Sequence, residues 1–194
     1  IHRRRRSMQM YSNQTTAVNN FRANRVRVWD IGVRLFHWSL VTMFVSAYFL
    51  TDPRSLHRNL GYVVIGLIGF RMVWGLIGGK HARFADFVPG PRRLFSFAKD
   101  VFRGREARYL GHNPLGAVMI LALLTTLGGI CATGYMMGMN AYFGVEWVEN
   151  AHKTLVNLAL FLIAGHLGGI IFTSLRHREN LVKAMITGNK ECDL

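Results

Sequence analysis

The chain has 194 residues, 51 % of them hydrophobic, yet carries a formal net charge of +14. In a soluble domain that charge would point to a nucleic acid. Here the apolar residues gather in four runs, each long enough to cross a hydrocarbon layer of about 30 Å, with the basic residues between them. That is membrane topology, and no nucleic-acid partner is needed to explain the charge.

Residues 1–27 form a basic extension that includes Arg3–Arg6, Arg22, Arg25 and Arg27, and it is expected to be disordered. Residues 28–176 hold the four runs, and residues 177–194 read as a cytoplasmic tail. The spans are expected at about 29–50, 57–77, 114–139 and 149–175. All must be helical, because backbone groups in hydrocarbon have no other local partners. The expected fold is therefore an all-α integral membrane four-helix bundle. Trp29, Trp38, Trp74 and Trp147 lie near span ends, where interfacial tryptophans collect. Between the second and third spans, Leu94, Phe95, Ala98, Val101 and Phe102 recur at helical spacing among Arg92, Arg93, Lys99 and Arg103. That pattern predicts a short amphipathic helix on the anionic inner leaflet, with membrane lipid as its partner. Asn113-Pro114 is a helix start, a capping side chain followed by a first-turn proline.

Orientation follows from the cations. The segment before the first span, the loop between the second and third, and the tail, counted with Arg34 at the start of the first span and Arg176 at the end of the fourth, hold 20 of the 24 lysines and arginines. The opposite side has Arg54, Arg58 and Lys153 against Asp52, Glu146 and Glu149. Both termini are thus expected on the cytoplasmic side of a multi-pass protein of the bacterial inner membrane.

Four of the eight histidines, His37, His57, His152 and His166, belong to the spans. One such histidine is adequately explained as an interhelical hydrogen bond. Four are not, since ionisable groups at membrane depth are rare and usually functional. His152 and His166 are 14 residues apart on one span, which places them on nearly the same face and about 21 Å apart in depth. His37 shares the inner depth with His166, and His57 shares the outer depth with His152. Two imidazoles at each level describe a six-coordinate haem with no open position. Zinc would require three or four ligands per site, and no carboxylate or cysteine accompanies either pair. The two cysteines, Cys131 and Cys192, make no disulfide framework, and no CxxCH is present for covalent haem attachment. Two haem b groups are therefore expected, held by His37 with His166 and by His57 with His152.

Arg71 lies 14 residues after His57 and so shares its face and the inner depth, where a haem propionate would be a suitable partner. A backbone carbonyl or a polar neighbour would serve as well. Gly61 and Gly169, close to His57 and His166, leave room for a flat macrocycle or let helices approach. His112 stands beside the helix start and could border a quinone. His2, His81 and His177 read as surface residues.

Val28-Trp29-Asp30 with Arg34-Leu35-Phe36-His37-Trp38 resembles the first span of the bacterial cytochrome b561 and nickel-hydrogenase cytochrome b family. His57-Arg58-Asn59-Leu60-Gly61-Tyr62 and Arg71-Met72-Val73-Trp74-Gly75 resemble its second span. Gly111-His112-Asn113-Pro114-Leu115-Gly116 resembles its third, and Ala151-His152-Lys153 with His166 its fourth. The resemblance covers about residues 28–175. It implies a four-helix bundle with two b haems and electron transfer between the quinone pool, ubiquinone or menaquinone, and a redox partner. That partner would be a periplasmic c-type cytochrome, a hydrogenase-like protein or a larger membrane complex. Two departures bear on the partner: the short connection between the first two spans and the basic extension. A superoxide oxidase reducing ubiquinone is the enzymatic alternative, with Arg54, Arg58 and Lys153 guiding the anion. A non-redox anchor would account for the charge but leave the paired histidines unexplained.

Overall fold

A chain crossing an apolar layer must pair its own backbone groups, and this one does so with long helices. The computed structural model describes residues 25–79, 82–105, 109 and 111–191. The expectations for residues 1–24, Lys80, His81, Arg108 and Cys192 lie outside the described residues. In chain order the elements are β1 (Arg25–Arg27), α1 (Ile31–Phe49), α2 (Arg54–Ile77) and α3 (Phe84–Phe87). They continue with α4 (Pro91–Phe102), α5 (Pro114–Met136), α6 (Glu146–His177), α7 (Leu181–Thr187) and β2 (Asn189–Glu191).

The helix ends have local causes. Asp30 caps α1, its carboxylate accepting from Val33 N at 2.9 Å. Asn113 caps α5 in the same way, accepting from Gly116 N at 2.7 Å ahead of Pro114. Helix α6 has Glu146 and Glu149 in its first turn and Arg176 and His177 in its last, which matches the helix dipole at both ends.

Three helices, α2, α5 and α6, are long and apolar enough to cross a membrane. Helix α1 is not among them, because Arg34, His37, Trp38 and Ser39 dilute its 19 residues. The expectation of four such helices is met by three on composition. Helix α1 packs along α2, α2 along α5, and α5 along α6. Among the described residues these three are the extensive pairings of the long helices, and α1–α6 and α2–α6 meet less closely.

Short connections, residues 50–53 and 137–145, join the helices at one end. At the other end the long 78–113 connection, the N-terminal strand and the C-terminal segment form one layer. Strand β1 pairs antiparallel with β2, Val26 opposite Lys190. The Val28 and Trp29 amides both donate to the Gly188 carbonyl, at 2.9 and 3.0 Å. Gly188 has φ +86, and a Cβ there would stand 2.8 Å from the Trp29 carbonyl, so only glycine suits the position. Val28, Trp29, Val33, Ala82 and Ala184 bury one another, with Trp74 and Met185 against them. Arg34 donates to the Ile186 carbonyl. Arg176 donates to Gly104 O at 2.6 Å, tying the end of α6 to the loop after α4. Lys190 is buried, and its ammonium meets Glu179 at 3.4 Å and Tyr109 O at 3.3 Å.

Helix α4 is where the amphipathic helix is expected, and its apolar stripe has two margins with different surroundings. One margin faces the protein: Phe97 is buried against Tyr109, with ring centroids 5.4 Å apart, beside half-buried Leu94 and Val101. The other margin points outward, Phe95 at 74 % and Phe102 at 92 % exposure, alongside exposed Lys99 and Arg92.

Candidate functional site

The four span histidines lie on three helices: His37 on α1, His57 on α2, and both His152 and His166 on α6. At the end with the short connections, the His57 and His152 rings stand with centroids 6.3 Å apart and planes at 73°.

Each of those rings is held by the helix that precedes its own. His57 Nδ1 is 2.9 Å from the Ala47 carbonyl of α1. His152 Nδ1 is 3.1 Å from the Ile130 carbonyl of α5 and 3.0 Å from Thr133 Oγ1. A carbonyl oxygen only accepts, so Nδ1 carries the proton in both rings. Nε2 is then the nitrogen with a free lone pair, the state a metal requires. A transition metal takes an imidazole nitrogen at about 2 Å, which sets the centroids of two axial rings about 6 Å apart. The observed separation fits one ion between the two rings. Among the described residues no third His, Cys, Asp or Glu joins either pair. Each level therefore offers two nitrogen donors, the set an axially ligated haem iron uses.

The inner level is built differently. His37 is half-buried, edge-on to Trp38 with centroids 5.1 Å apart, and lies within electrostatic reach of His166. Its Nδ1 is buried and has no hydrogen-bond partner among the described residues. The helices carrying this pair, α1 and α6, meet less closely than α1 does with α2 or α5 with α6, and the same holds for α2 and α6. Gly61 and Gly169 border open space, with nothing within 4 Å of where a Cβ would stand. Gly129 and Gly134 differ: a Cβ on them would meet Leu155 at 3.0 Å and the His152 ring at 3.3 Å. Close helix packing explains the second pair of glycines, whereas Gly61 and Gly169 share their open surroundings with Gly66, Gly69, Gly128 and Gly168.

Arg71 is 3 % exposed. Its Nη2 donates to Ala82 O at 3.1 Å, and its guanidinium lies over the Phe84 ring, 4.6 Å from the centroid. The backbone carbonyl weighed as one partner is thus present, while Nη1 is buried without a hydrogen bond among the described residues. The Phe84 ring sits directly on Gly75, where a Cβ would overlap it. His112 packs between Trp29 and Phe87, at centroid distances of 4.5 and 5.0 Å. At the opposite end Arg54, Arg58 and Lys153 are exposed, and Lys153 pairs with Glu149 at 3.9 Å.

Several residues that shape the site carried no mark in the sequence. The Ala47 and Ile130 carbonyls belong to residues whose side chains are unremarkable. Thr133 is one of several threonines on an apolar helix. Asp30 both caps α1 and accepts from Trp74 Nε1 at 3.1 Å, and its place beside Trp29 was its only signal.

The sequence profile of the prokaryotic cytochrome b561 family matches residues 28–188. A probable Ni/Fe-hydrogenase B-type cytochrome subunit of Azotobacter chroococcum is 32 % identical over 168 residues, covering 69 % of this chain and 68 % of the relative. The Azotobacter vinelandii protein of that description is 30 % identical over 166 residues, with the same coverage. That of Bradyrhizobium diazoefficiens is 22 % identical over 215 residues, covering 86 % of each chain. No solved structure matches. With the matched profile running from just after β1 to just past α7, the chain belongs to the prokaryotic cytochrome b561 family, membrane proteins of b-type haem and electron transfer.

Proposed function

We propose that the chain is a di-haem electron-transfer subunit, with His57 and His152 holding an outer haem b and His37 and His166 an inner one. The observation that carries this reading is the outer pair: two imidazoles 6.3 Å apart, both with Nδ1 committed to backbone carbonyls. A haem held by two imidazoles would supply a one-electron carrier at each level. The protein's own part is to hold the rings, exclude water and neutralise charge. Arg71 Nη1 is the proposed donor to a propionate, its Nη2 being already engaged by Ala82 O.

Helix α1 is proposed as a fourth span. At 19 residues it is about 28 Å long, and it packs along α2. The layer formed by β1, the 78–113 connection, α7 and β2 is proposed to face the bacterial cytoplasm, since these segments carry 12 of the 24 lysines and arginines against Arg54, Arg58 and Lys153 at the opposite end. Phe95 and Phe102 would then enter the inner leaflet, with Arg92 and Lys99 at anionic headgroups. The relatives' description as hydrogenase cytochrome subunits supports a hydrogenase-like protein as the partner at the outer level, with quinone accepting electrons at the inner one.

Haem extraction from protein purified in mild detergent tests the reading: two haems per chain are expected, and one or none overturns it. The superoxide oxidase alternative has weaker physical support, because Lys153 is already offset by Glu149. Rapid mixing with superoxide separates the two, since fast haem reduction would favour the enzyme.

A further inference from the structure

Helix α5 carries two buried threonines that bond back into their own helix. Thr126 Oγ1 donates to Ala122 O at 2.8 Å and has no hydrogen bond to a histidine among the described residues. Thr133 Oγ1 lies 2.8 Å from Gly129 O and 3.0 Å from Ile130 O, and is also 3.0 Å from His152 Nδ1. The hydroxyl proton goes to a carbonyl, because carbonyls only accept. A lone pair of the same oxygen therefore faces the His152 Nδ1–H, which Ile130 O accepts as well at 3.1 Å. One N–H is shared between a side-chain and a backbone acceptor. The next residue, Gly134, presents bare backbone to the ring: a Cβ there would stand 3.3 Å from His152 Cε1 and 3.6 Å from Nδ1.

We infer that Thr133, with Gly134 beside it, is a positioning residue that sets the plane of the His152 ring and lowers the reduction potential of the outer haem. This rests on the reading of His152 as an axial ligand. Acceptors on the far nitrogen of a ligating histidine fix its tautomer and raise the basicity of the ligating nitrogen. A more basic axial nitrogen favours the oxidised iron, and hydrogen bonding around the ligands is one of the levers that set haem potential. At the inner level His37 Nδ1 has no such acceptor among the described residues. The two levels therefore differ in this one lever, which favours the oxidised iron at the outer one.

Spectroscopic redox titration of the purified holoprotein tests this. Thr133→Val should keep both haems and raise the outer midpoint while the inner one stays in place. Thr133→Ser, which retains the hydroxyl, should restore the wild-type value. Thr126→Val loses the same kind of helix back-bond without a histidine nearby and should move neither midpoint. Wild-type midpoints in Thr133→Val, or an equal shift in Thr126→Val, would overturn the inference. Should Thr133→Val lose a haem, Gly134→Ala reads the same contact by displacing the ring. A moved outer midpoint supports the inference, and an unmoved one overturns it. His152→Ala keeps the two readings apart. If it retains both haems, the ligand assignment is wrong. If it loses one while Thr133→Val leaves the midpoints unchanged, only the role of Thr133 falls.

Discussion

At the outer level each imidazole is tied to the helix preceding its own, His57 to Ala47 O and His152 to Ile130 O and Thr133. At the inner level His37 Nδ1 is buried without a partner among the described residues. The outer rings are oriented by acceptors on neighbouring helices, and the His37 ring has no such tether. The contrast shows how one bundle can hold two pairs of the same donor type in different ways. Preorganisation is supplied by carbonyls where a ring meets a neighbouring helix, and is missing at His37 Nδ1.

The largest test of this contrast is removal of a ligand at each level. His152→Ala and His37→Ala should each leave one haem per chain by extraction, and the two remaining haems should differ in spectrum and midpoint. Loss of both haems in either variant would break the comparison, because the levels would then not be independent. A second difference concerns haem-free protein. Hydrogen exchange or proteolysis should find lower protection around His37 than at the His57–His152 end. Equal protection at both ends would contradict it.

Smaller effects belong to the layer that closes the inner end. Arg71→Ala leaves the Ala82 carbonyl unpaired and strips the cation from Phe84, a loss on the order of 1–3 kcal/mol. Thermal unfolding in detergent should show that loss while the outer haem's spectrum stays unchanged. Asp30→Ala removes the α1 cap and the Trp74 partner, about 1 kcal/mol for the cap. It should lower the unfolding temperature less than Arg71→Ala does. Smallest of all is Lys153→Gln, since the exposed pair with Glu149 contributes about 0–1 kcal/mol. Unfolding temperature and haem content should be unchanged; slower haem reduction by superoxide would strengthen the enzymatic reading instead.

Span positions were largely legible because hydrophobic run length is a physical requirement of the bilayer. The ends shift for reasons visible only in atomic detail. Helix α2 begins at Arg54, three residues before His57, and α6 extends from Glu146 to His177. The third run stops short of residue 139, where the chain turns through Gly138. Helix α7 and the two three-residue strands are too short to impose a period on the sequence. Histidine spacing was informative because 14 residues is close to four turns. The groups that orient those histidines were not, since a carbonyl has no side-chain identity and Thr133 reads like any back-bonding threonine. Arg71 shows the same limit: its depth could be computed from its position, but the Ala82 carbonyl and the Phe84 ring depend on how a connecting loop folds back.

The closing layer also sets a clock for assembly. Arg34 and Ile186 are 152 positions apart, and Gly188 is the shared acceptor for the two amides just ahead of α1. During synthesis α1 must therefore wait, unclamped, until Ile186 and Gly188 have left the ribosome. Membrane insertion and haem capture can precede that moment; closure of this end cannot. A fusion placed directly after β2 would thus burden the last step of maturation, and a flexible spacer there should restore the yield of closed protein.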